Sequence, residues 1–382
     1  MDQNGKNMNI LIISAHYTDL SSGGEGKRAH ELCEQMSKDI ENEVTILTYK
    51  IFNEKNHIKS RIKDVQINFF SNRFKFPLIT FKQIFKIFRI IKNAQVIHLM
   101  GYWNLIFFII YPMIRFFNKR YVICPAGSIN YQDRSKFLKS LYTFFLGKRI
   151  LQNAFKCIAI VETEIANFIN FGVKEKNILV IPNGISIKNT IKKNVDHKDY
   201  PFINRGQDFI LFLGRLNFIK GPDILLKAFK QISDEFKNLN LVFAGNDEGM
   251  LNQLSEFCKV NDINDRVFFL GYQDVKEKSY LYQKAKLVVI PSRSEAMSIV
   301  FLEAGAHGTP ILLTNKCGLN FVENYGIAKL SNPQFKEMSH KISDVLNNKQ
   351  WQKDSSNKLL NFVKENYEWS KIRKKYEKVF FD

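Results

Sequence analysis

The chain has no apolar run long enough to cross a bilayer. Its longest, Leu105 to Ile114, is about half of the roughly 20 residues a spanning helix needs, and Pro112 interrupts it. No Asp-x-Asp triplet occurs, and no cysteine or histidine pair has metal-ligand spacing. Five cysteines, Cys33, Cys124, Cys157, Cys258 and Cys317, stand far apart, and an odd count argues against a disulfide framework. They read as buried thiols of a reducing compartment. The opening MDQNGKNMNILIIS lacks a signal-peptide cleavage pattern, and its short apolar run reads as a first strand. Low-complexity tracts and solenoid-period repeats are also missing. These absences predict a cytoplasmic protein that is not integral to a membrane.

What is present points to two α/β domains. A length of 382 residues exceeds one ordinary core and suits two domains of roughly 150–200 residues. Apolar residues make up 45% and charged residues 24%, a globular balance. The net charge of +19 is unevenly spread: between Lys50 and Lys92 eleven cations face only Glu54 and Asp64. Such a patch attracts polyanions: an acidic membrane surface, nucleic acid or phosphorylated substrates.

Strand-like runs alternate with amphipathic stretches throughout. In the first half they fall at Asn9–Ser14, Glu43–Thr48, Val65–Phe70, Val96–Leu99, Tyr121–Cys124, Cys157–Val161 and Ile178–Ile181. The first is followed by a glycine-containing loop over 18–26 and a helix from about Lys27 to Ser37. Gly23, Gly24 and Gly26 do not have the dinucleotide G-x-G-x-x-G spacing. The polar, basic stretch 187–206 reads as a linker. A second rhythm follows, with strands at Phe209–Leu213, Leu241–Ala244, Val267–Leu270, Leu287–Ile290 and Ile311–Thr314 and a helix over Pro222–Phe236. A basic amphipathic helix over Trp369–Phe380 ends the chain.

Two constellations carry chemistry. In the first, a strand ends at Leu213, Gly214 permits a tight turn, and Arg215 and Lys220 precede a helix. Ligands bind at the carboxyl ends of parallel strands. There the pair would clamp a diphosphate, Arg as a planar fork and Lys as a compact charge; spacing alone equally allows two solvated loop cations. In the second, Glu295 follows the strand end at Pro291, and Ser298, Ile299 and Val300 open a helix that carries Glu303. The free N–H groups of that helix start form an anion site. Glu303 lies inside an apolar run, and a carboxylate on a buried helix needs a partner; the pattern also allows Glu295 to be a helix-start acid favoured by the dipole and Glu303 a surface residue.

Taken in order, GlyArgLeu…LysGly at 214–221, AlaGly at 244–245, LeuGly at 270–271 and ProSer…Glu…GluAla…GlyThrPro at 291–310 resemble the retaining glycosyltransferases of family 4, of GT-B fold. The ProAsnGly turn at 182–184 and the TrpSerLysIle…Tyr tail at 369–376 fit as well. The resemblance implies two doubly wound Rossmann-like domains facing each other across a cleft. It puts an acceptor-binding domain at 1–195, joined by a C-terminal helix at about 366–382, and a nucleotide-sugar domain at 203–365. By resemblance, Arg215 and Lys220 bind the donor diphosphate, Glu303 bonds the ribose hydroxyls and Glu295 lies near the donor sugar. Gly23 and Gly24 match a glycine loop whose backbone approaches the phosphates, where a side chain would block access. The family is retaining and needs no metal or other cofactor. Two departures stand out: Met297-Ser298 replaces a common Phe-Gly, and Ala126, in Cys124-Pro-Ala-Gly-Ser128, replaces a common histidine. On the acceptor side this leaves His98, Gly101, Tyr102, Gly127 and Ser128 as candidates.

The implied function is sugar transfer from a nucleotide sugar to a glycan or lipid-linked acceptor of cell-surface polysaccharide. A nucleotide-sugar epimerase is the alternative within the fold. A nucleic-acid-binding protein is the alternative outside it, disfavoured because no reading helix or stacking motif accompanies the basic patch. Region 73–92 is expected to touch an anionic membrane from the cytoplasmic side. From Phe81, apolar residues recur at 81, 84, 85, 88 and 91 between cations, so the helix either lies on lipid or packs this stripe on its own sheet.

Overall fold

The computed structural model describes residues 8–14, 23–38, 42–51, 65–72, 79–129, 136–187 and 200–381. The chain divides into two compact units, one of Met1–Asn183 with Trp369–Asp382, the other of Gly184–Glu368.

Unit 1 holds a parallel sheet of β1 (Asn9–Ser14), β2 (Glu43–Ile51), β3 (Val65–Asn72), β4 (Val96–Met100), β5 (Tyr121–Cys124), β6 (Lys156–Ala159) and β7 (Ile178–Val180). Its order is β3-β2-β1-β4-β5-β6-β7, with the reversal between β1 and β4. Residues 10–14 and all of β4 and β5 are buried, which is why these strands read as continuous apolar runs. On one face the helices Phe81–Asn93 and Phe107–Phe116 and the segment Lys136–Gln152 share a single core with the sheet, through Ile87, Ile110 and Leu146 among others. The helix Phe81–Asn93 starts at a capping box in which Gln83 N–H donates to Thr80 Oγ1 (3.3 Å) and Thr80 N–H to Gln83 Oε1 (2.9 Å). Its buried stripe is Ile87 and Ile91, whereas Phe81 and Phe85 are 83% and 69% exposed. The expected stripe is thus rotated: Phe81 and Phe85 do not pack on the sheet.

The helix Gly23–Met36 and the C-terminal helix Trp369–Phe381 pack on each other. Trp369 Nε1 donates to Glu31 Oε2 at 2.6 Å. Arg28, 2% exposed, donates to Tyr376 Oη (2.6 Å), Asn183 Oδ1 (2.7 Å) and the Ile181 carbonyl (2.8 Å). One guanidinium therefore fastens the chain's last helix and the ProAsnGly turn to the first helix. A buried charge is tolerated here because its donors find acceptors.

Unit 2 repeats the plan with β8 (Asp208–Leu213), β9 (Leu239–Ala244), β10 (Val267–Phe269), β11 (Leu287–Ile290), β12 (Ile311–Thr314) and β13 (Lys329–Ser331), ordered β10-β9-β8-β11-β12-β13 and parallel throughout. Both sheets have the doubly wound order with one switch point, and the fold is that of GT-B, two Rossmann-like domains.

Several expectations are corrected. The first helix begins at Gly23, so Gly23 and Gly24 lie in its first turn rather than in a loop. Tyr200–Gly206 is not linker: Tyr200 and Phe202 are buried, with Phe202 against Phe209 and Phe268. The helix from Pro222 ends at Ile232, short of Phe236. Strand β13 gave no recognisable apolar run in LysLeuSer. Residues 188–199 and 73–78 lie outside the described residues. Among the described residues no helix is long and apolar enough to cross a membrane.

Replacing Arg28 by Ala strands three buried acceptors at once. The expected cost is about 3–5 kcal/mol, read as a fall in midpoint on chemical denaturation; a change below about 1 kcal/mol would show the clamp to be dispensable.

Candidate functional site

The site forms where β8 and β11 lie side by side and the crossovers leave in opposite directions, the switch point of the unit 2 sheet. Their carboxyl ends deliver Gly214-Arg215 and Pro291-Ser292. Lys220 closes a short 3-10 turn, Phe218–Lys220, capped by Asn217, whose Oδ1 accepts from Lys220 N–H at 3.0 Å. Gly221 follows at φ +68, and a Cβ there would sit 2.2 Å from the Pro291 carbonyl oxygen. Only glycine allows the two loops to touch.

Lys220 Nζ lies 2.7 Å from Glu295 Oε1, with both side chains largely buried. Ser292 Oγ also donates to Glu295, at 2.5 Å. Burial alone would raise the Glu295 carboxyl, but the Lys220 charge and the bonds from Lys220 and Ser292 hold it below its ordinary range. Arg293 locks the same loops together. It pairs with Asp223 by two bonds (2.8 and 2.6 Å), donates to the Phe218 carbonyl at 2.6 Å and lies 3.9 Å over the Phe218 ring. Arg293 stands between the ProSer and the first Glu of the motif at 291–310 and had no expected role.

Arg215 is more exposed. Its Nη1 meets Glu248 Oε1 at 2.7 Å, and Asn217 Nδ2 donates to the other oxygen at 2.7 Å. Glu248 follows the β9 end by four residues, and its role was not legible because it lies on an irregular loop. Asp247 shapes that loop by accepting from the N–H groups of Gly249, Met250 and Leu251.

Ser298 occupies the N-cap position of the helix Ile299–Ala306, and its side chain makes no capping bond. No backbone acceptor for the N–H groups of Ser298, Ile299 and Val300 is found among the described residues. They remain donors for an anion. Glu303, 5% exposed, has the partners its burial demands: Tyr282 Oη donates to Oε2 at 2.8 Å, and Lys278 Nζ is 3.2 Å from Oε1. Tyr282 also stacks on His307 at 5.3 Å, and its hydroxyl is pushed well above its usual range by burial and by Glu303. Unit 2 thus joins Lys220 to Glu295, sets Arg215 on Glu248 and Glu303 on Tyr282 and Lys278, and opens the helix after β11 at Ser298, Ile299 and Val300; Gly214 directly follows β8.

Unit 1 places its candidates differently. Gly101, φ +79, lies against the Glu25 carboxylate, where a Cβ would be 2.7 Å from Oε1. Gly127, φ +84, follows Ala126, itself at φ +51. Gly127 N–H donates to Glu164, a buried carboxyl that burial raises despite that bond and one from Ile160 N–H (2.6 Å). Ser128 Oγ turns back to the Pro125 carbonyl (2.5 Å), and its own carbonyl accepts from Trp103 Nε1 at 2.6 Å. His98 and Tyr102 are corrected to core residues. His98 is fully buried against Tyr376 and Phe380, and its ring nitrogens have no partner among the described residues. Burial, with Arg28 nearby, drives its pKa down to about 3, so it is neutral. Tyr102 is 1% exposed and ringed by Trp103, Tyr142 and Phe171.

Fold and site together define a two-domain Rossmann-like protein with cations, carboxylates and a helix start on the loops that follow the strands at a switch point. The comparisons specify the family. The model for group 1 glycosyl transferases matches residues 195–369, and that for glycosyltransferase family 4 matches residues 22–189. The chain belongs to the group 1, family 4-like glycosyltransferases. An uncharacterized glycosyltransferase of Methanocaldococcus jannaschii is 29% identical over 219 residues, 55% of each chain; the chain thus spans about half the length of that relative. Among solved structures, sucrose-phosphate synthase from Thermosynechococcus elongatus superposes with a TM-score of 0.78 at 20% identity, covering 98% of both chains. HepE of Anabaena, in complex with UDP-glucose, gives 0.75 at 16% identity, covering 97% of this chain and 99% of that one.

The Lys220–Glu295 pair sets a pH signature. A depressed carboxyl stabilises the fold above its unfolded pKa, near 4.3, and loses that contribution as pH falls through the folded value. In Lys220→Ala the carboxyl is buried without its cation and its pKa rises. The variant should be about 3 kcal/mol less stable at neutral pH, with the gap to wild type narrowing as both are acidified toward pH 4. A gap independent of pH, in melts from pH 4 to 8, would remove the pair from this account.

Proposed function

We propose that the chain transfers a sugar from a nucleotide-sugar donor, with retention and without metal, to a glycan or lipid-linked oligosaccharide acceptor of cell-surface polysaccharide. The observation that carries this reading is that Arg215 and Lys220 follow β8, and the N–H groups of Ser298–Val300, without a backbone acceptor among the described residues, follow β11, at the switch point of one sheet, where together they would seat a diphosphate. The UDP-glucose held by the Anabaena protein of the same fold supports a nucleotide-sugar donor.

Both cations already hold carboxylates, and magnitudes decide how a diphosphate competes. The Arg215–Glu248 pair is exposed, 53% and 41%, and such pairs are worth about 0–1 kcal/mol. Arg215 can leave it for a phosphate fork at little cost. Lys220 need not leave Glu295, because an ammonium has three donors and Glu295 uses one direction. Glu303, held by Tyr282 and Lys278, would accept from the ribose hydroxyls, since a carboxylate takes several donors. Glu295, fixed by Lys220 and Ser292, faces the donor sugar.

In the reaction, the bond between the anomeric carbon and the β-phosphate oxygen breaks. The acceptor hydroxyl attacks the same face, and its proton passes to the departing phosphate oxygen. Lys220, Arg215 and the helix start stabilise the growing negative charge before it forms, which is where such sites obtain most of their acceleration. The acceptor's lipid linkage would keep the protein peripheral at the cytoplasmic face of the membrane, through region 73–92.

Glu303→Ala and Lys220→Ala should each lower turnover more than tenfold while circular dichroism stays unchanged. A nucleotide sugar in large excess over its dissociation constant should raise the wild-type melting temperature by mass action. EDTA should leave the rate unaltered. Near-wild-type turnover in either variant, or a strict need for added divalent metal, would count against the assignment.

A further inference from the structure

Between Val65 and Val161 the chain carries fifteen Lys or Arg and a single acid, Asp133. This stretch also carries most of the exposed aromatics of unit 1. Phe81 (83% exposed), Phe116 (75%), Phe144 (75%), Phe85 (69%) and Phe145 (58%) present more than half of their surface to solvent. Isolated exposed apolar residues are ordinary, but a contiguous group is not.

The fold makes them contiguous. Helices Phe81–Asn93 and Phe107–Phe116 and the segment Lys136–Gln152 cover one face of the unit 1 sheet and share one core, so their outward sides form one layer. Phe88 bridges the first two helices, with ring centroids 6.1 Å from Phe116 and 4.5 Å from Phe117. Phe108 reaches the third segment through Tyr142 at 5.6 Å. There the helix loosens into a π-turn, Thr143–Gly147, which turns Phe144 and Phe145 outward as a pair 5.1 Å apart while Leu146 stays buried. Cations flank the aromatics: Lys82, Lys86 and Arg89 are exposed on the first helix, Arg115 on the second, and Lys148 and Arg149 after the π-turn.

We propose that this three-segment layer docks on an anionic bilayer, with Phe144 and Phe145 inserted at the headgroup boundary and the cations on lipid phosphates. Charge selects the occupant. A protein partner would have to offset many like charges with a dense acidic face, whereas an anionic bilayer supplies negative charge and an apolar interior together. Lys82, Lys86 and Arg89 also line, with Phe85 and Glu43, a groove of about 780 Å³ beside the first residues of β1 and β2. The inference rests on the reading of a lipid-linked acceptor but moves the contact: the π-turn, outside 73–92, is the inserting element. Phe81 and Phe85 then have the apolar surroundings that the sheet does not give them.

The test is co-sedimentation of the purified chain with phosphatidylglycerol–phosphatidylcholine vesicles and with pure phosphatidylcholine vesicles, alongside donor titration. Wild type should pellet with the anionic vesicles only. Phe144→Ser with Phe145→Ser should lower vesicle affinity about tenfold or more at constant salt, and Lys82→Glu with Lys86→Glu and Arg89→Glu should abolish the anionic preference. Both variants should bind nucleotide sugar as wild type does. Absent wild-type binding, or binding untouched by the Phe pair, overturns the proposal. So does a dimer in sedimentation velocity that the Phe pair dissociates without vesicles present. Vesicle binding lost with donor binding intact leaves the transferase reading standing, and the reverse result sinks that reading alone.

Discussion

The ion pair between Lys220 and Glu295 is the contact on which the site depends. It joins the loop leaving β8 to the loop leaving β11, the two strands between which the sheet changes direction. Removing two charges from water is unfavourable in itself, and such pairs often add little to stability. What this one adds is position. Around it Arg293 and Asp223 hold the loops together, and Gly221 lets their backbones touch. Lys220 is therefore fixed before any ligand arrives, and electrostatic catalysis needs that preorganisation.

Unit 1 shows the same economy with a different residue. Arg28 gathers the first helix, the ProAsnGly turn and the terminal helix around one guanidinium. The tail motif at 369–376 thereby acquires a physical role: Tyr376 accepts from Arg28, and Trp369 donates to Glu31 on the same helix. These bonds all lie on one side of the sheet. The opposite side carries the exposed aromatics and the excess of positive charge.

Much of this was legible in the sequence. Buried parallel strands announce themselves as apolar runs, so their ends came within three residues, with β2 running on to Ile51. LysLeuSer of β13 was missed because three residues at a sheet edge carry no pattern. Glu303 was readable as a buried acid needing partners, since its apolar flanks fixed its burial, but Tyr282 and Lys278 lie on another helix and sequence distance hides them. Arg293 escaped for the same reason, and Glu248 because its loop has no regular pattern. His98 misled because a histidine at a strand end looks the same whether it faces a ligand or a terminal helix far away in sequence. Gly23 and Gly24 were read as loop because glycine disfavours helix interiors, yet a first turn tolerates them. The stripe of the helix from Phe81 was misread by one position, because Phe and Ile occupy nearly every turn and periodicity alone could not choose which would be buried.

The most direct test is a structure of the protein with a nucleoside diphosphate bound. The β-phosphate should lie about 3 Å from Lys220 Nζ and from the N–H groups at Ser298–Val300, with Arg215 turned from Glu248 onto a phosphate oxygen and Lys220 still on Glu295. A nucleotide bound elsewhere, with Arg215 still paired to Glu248 and the helix start empty, would contradict the account.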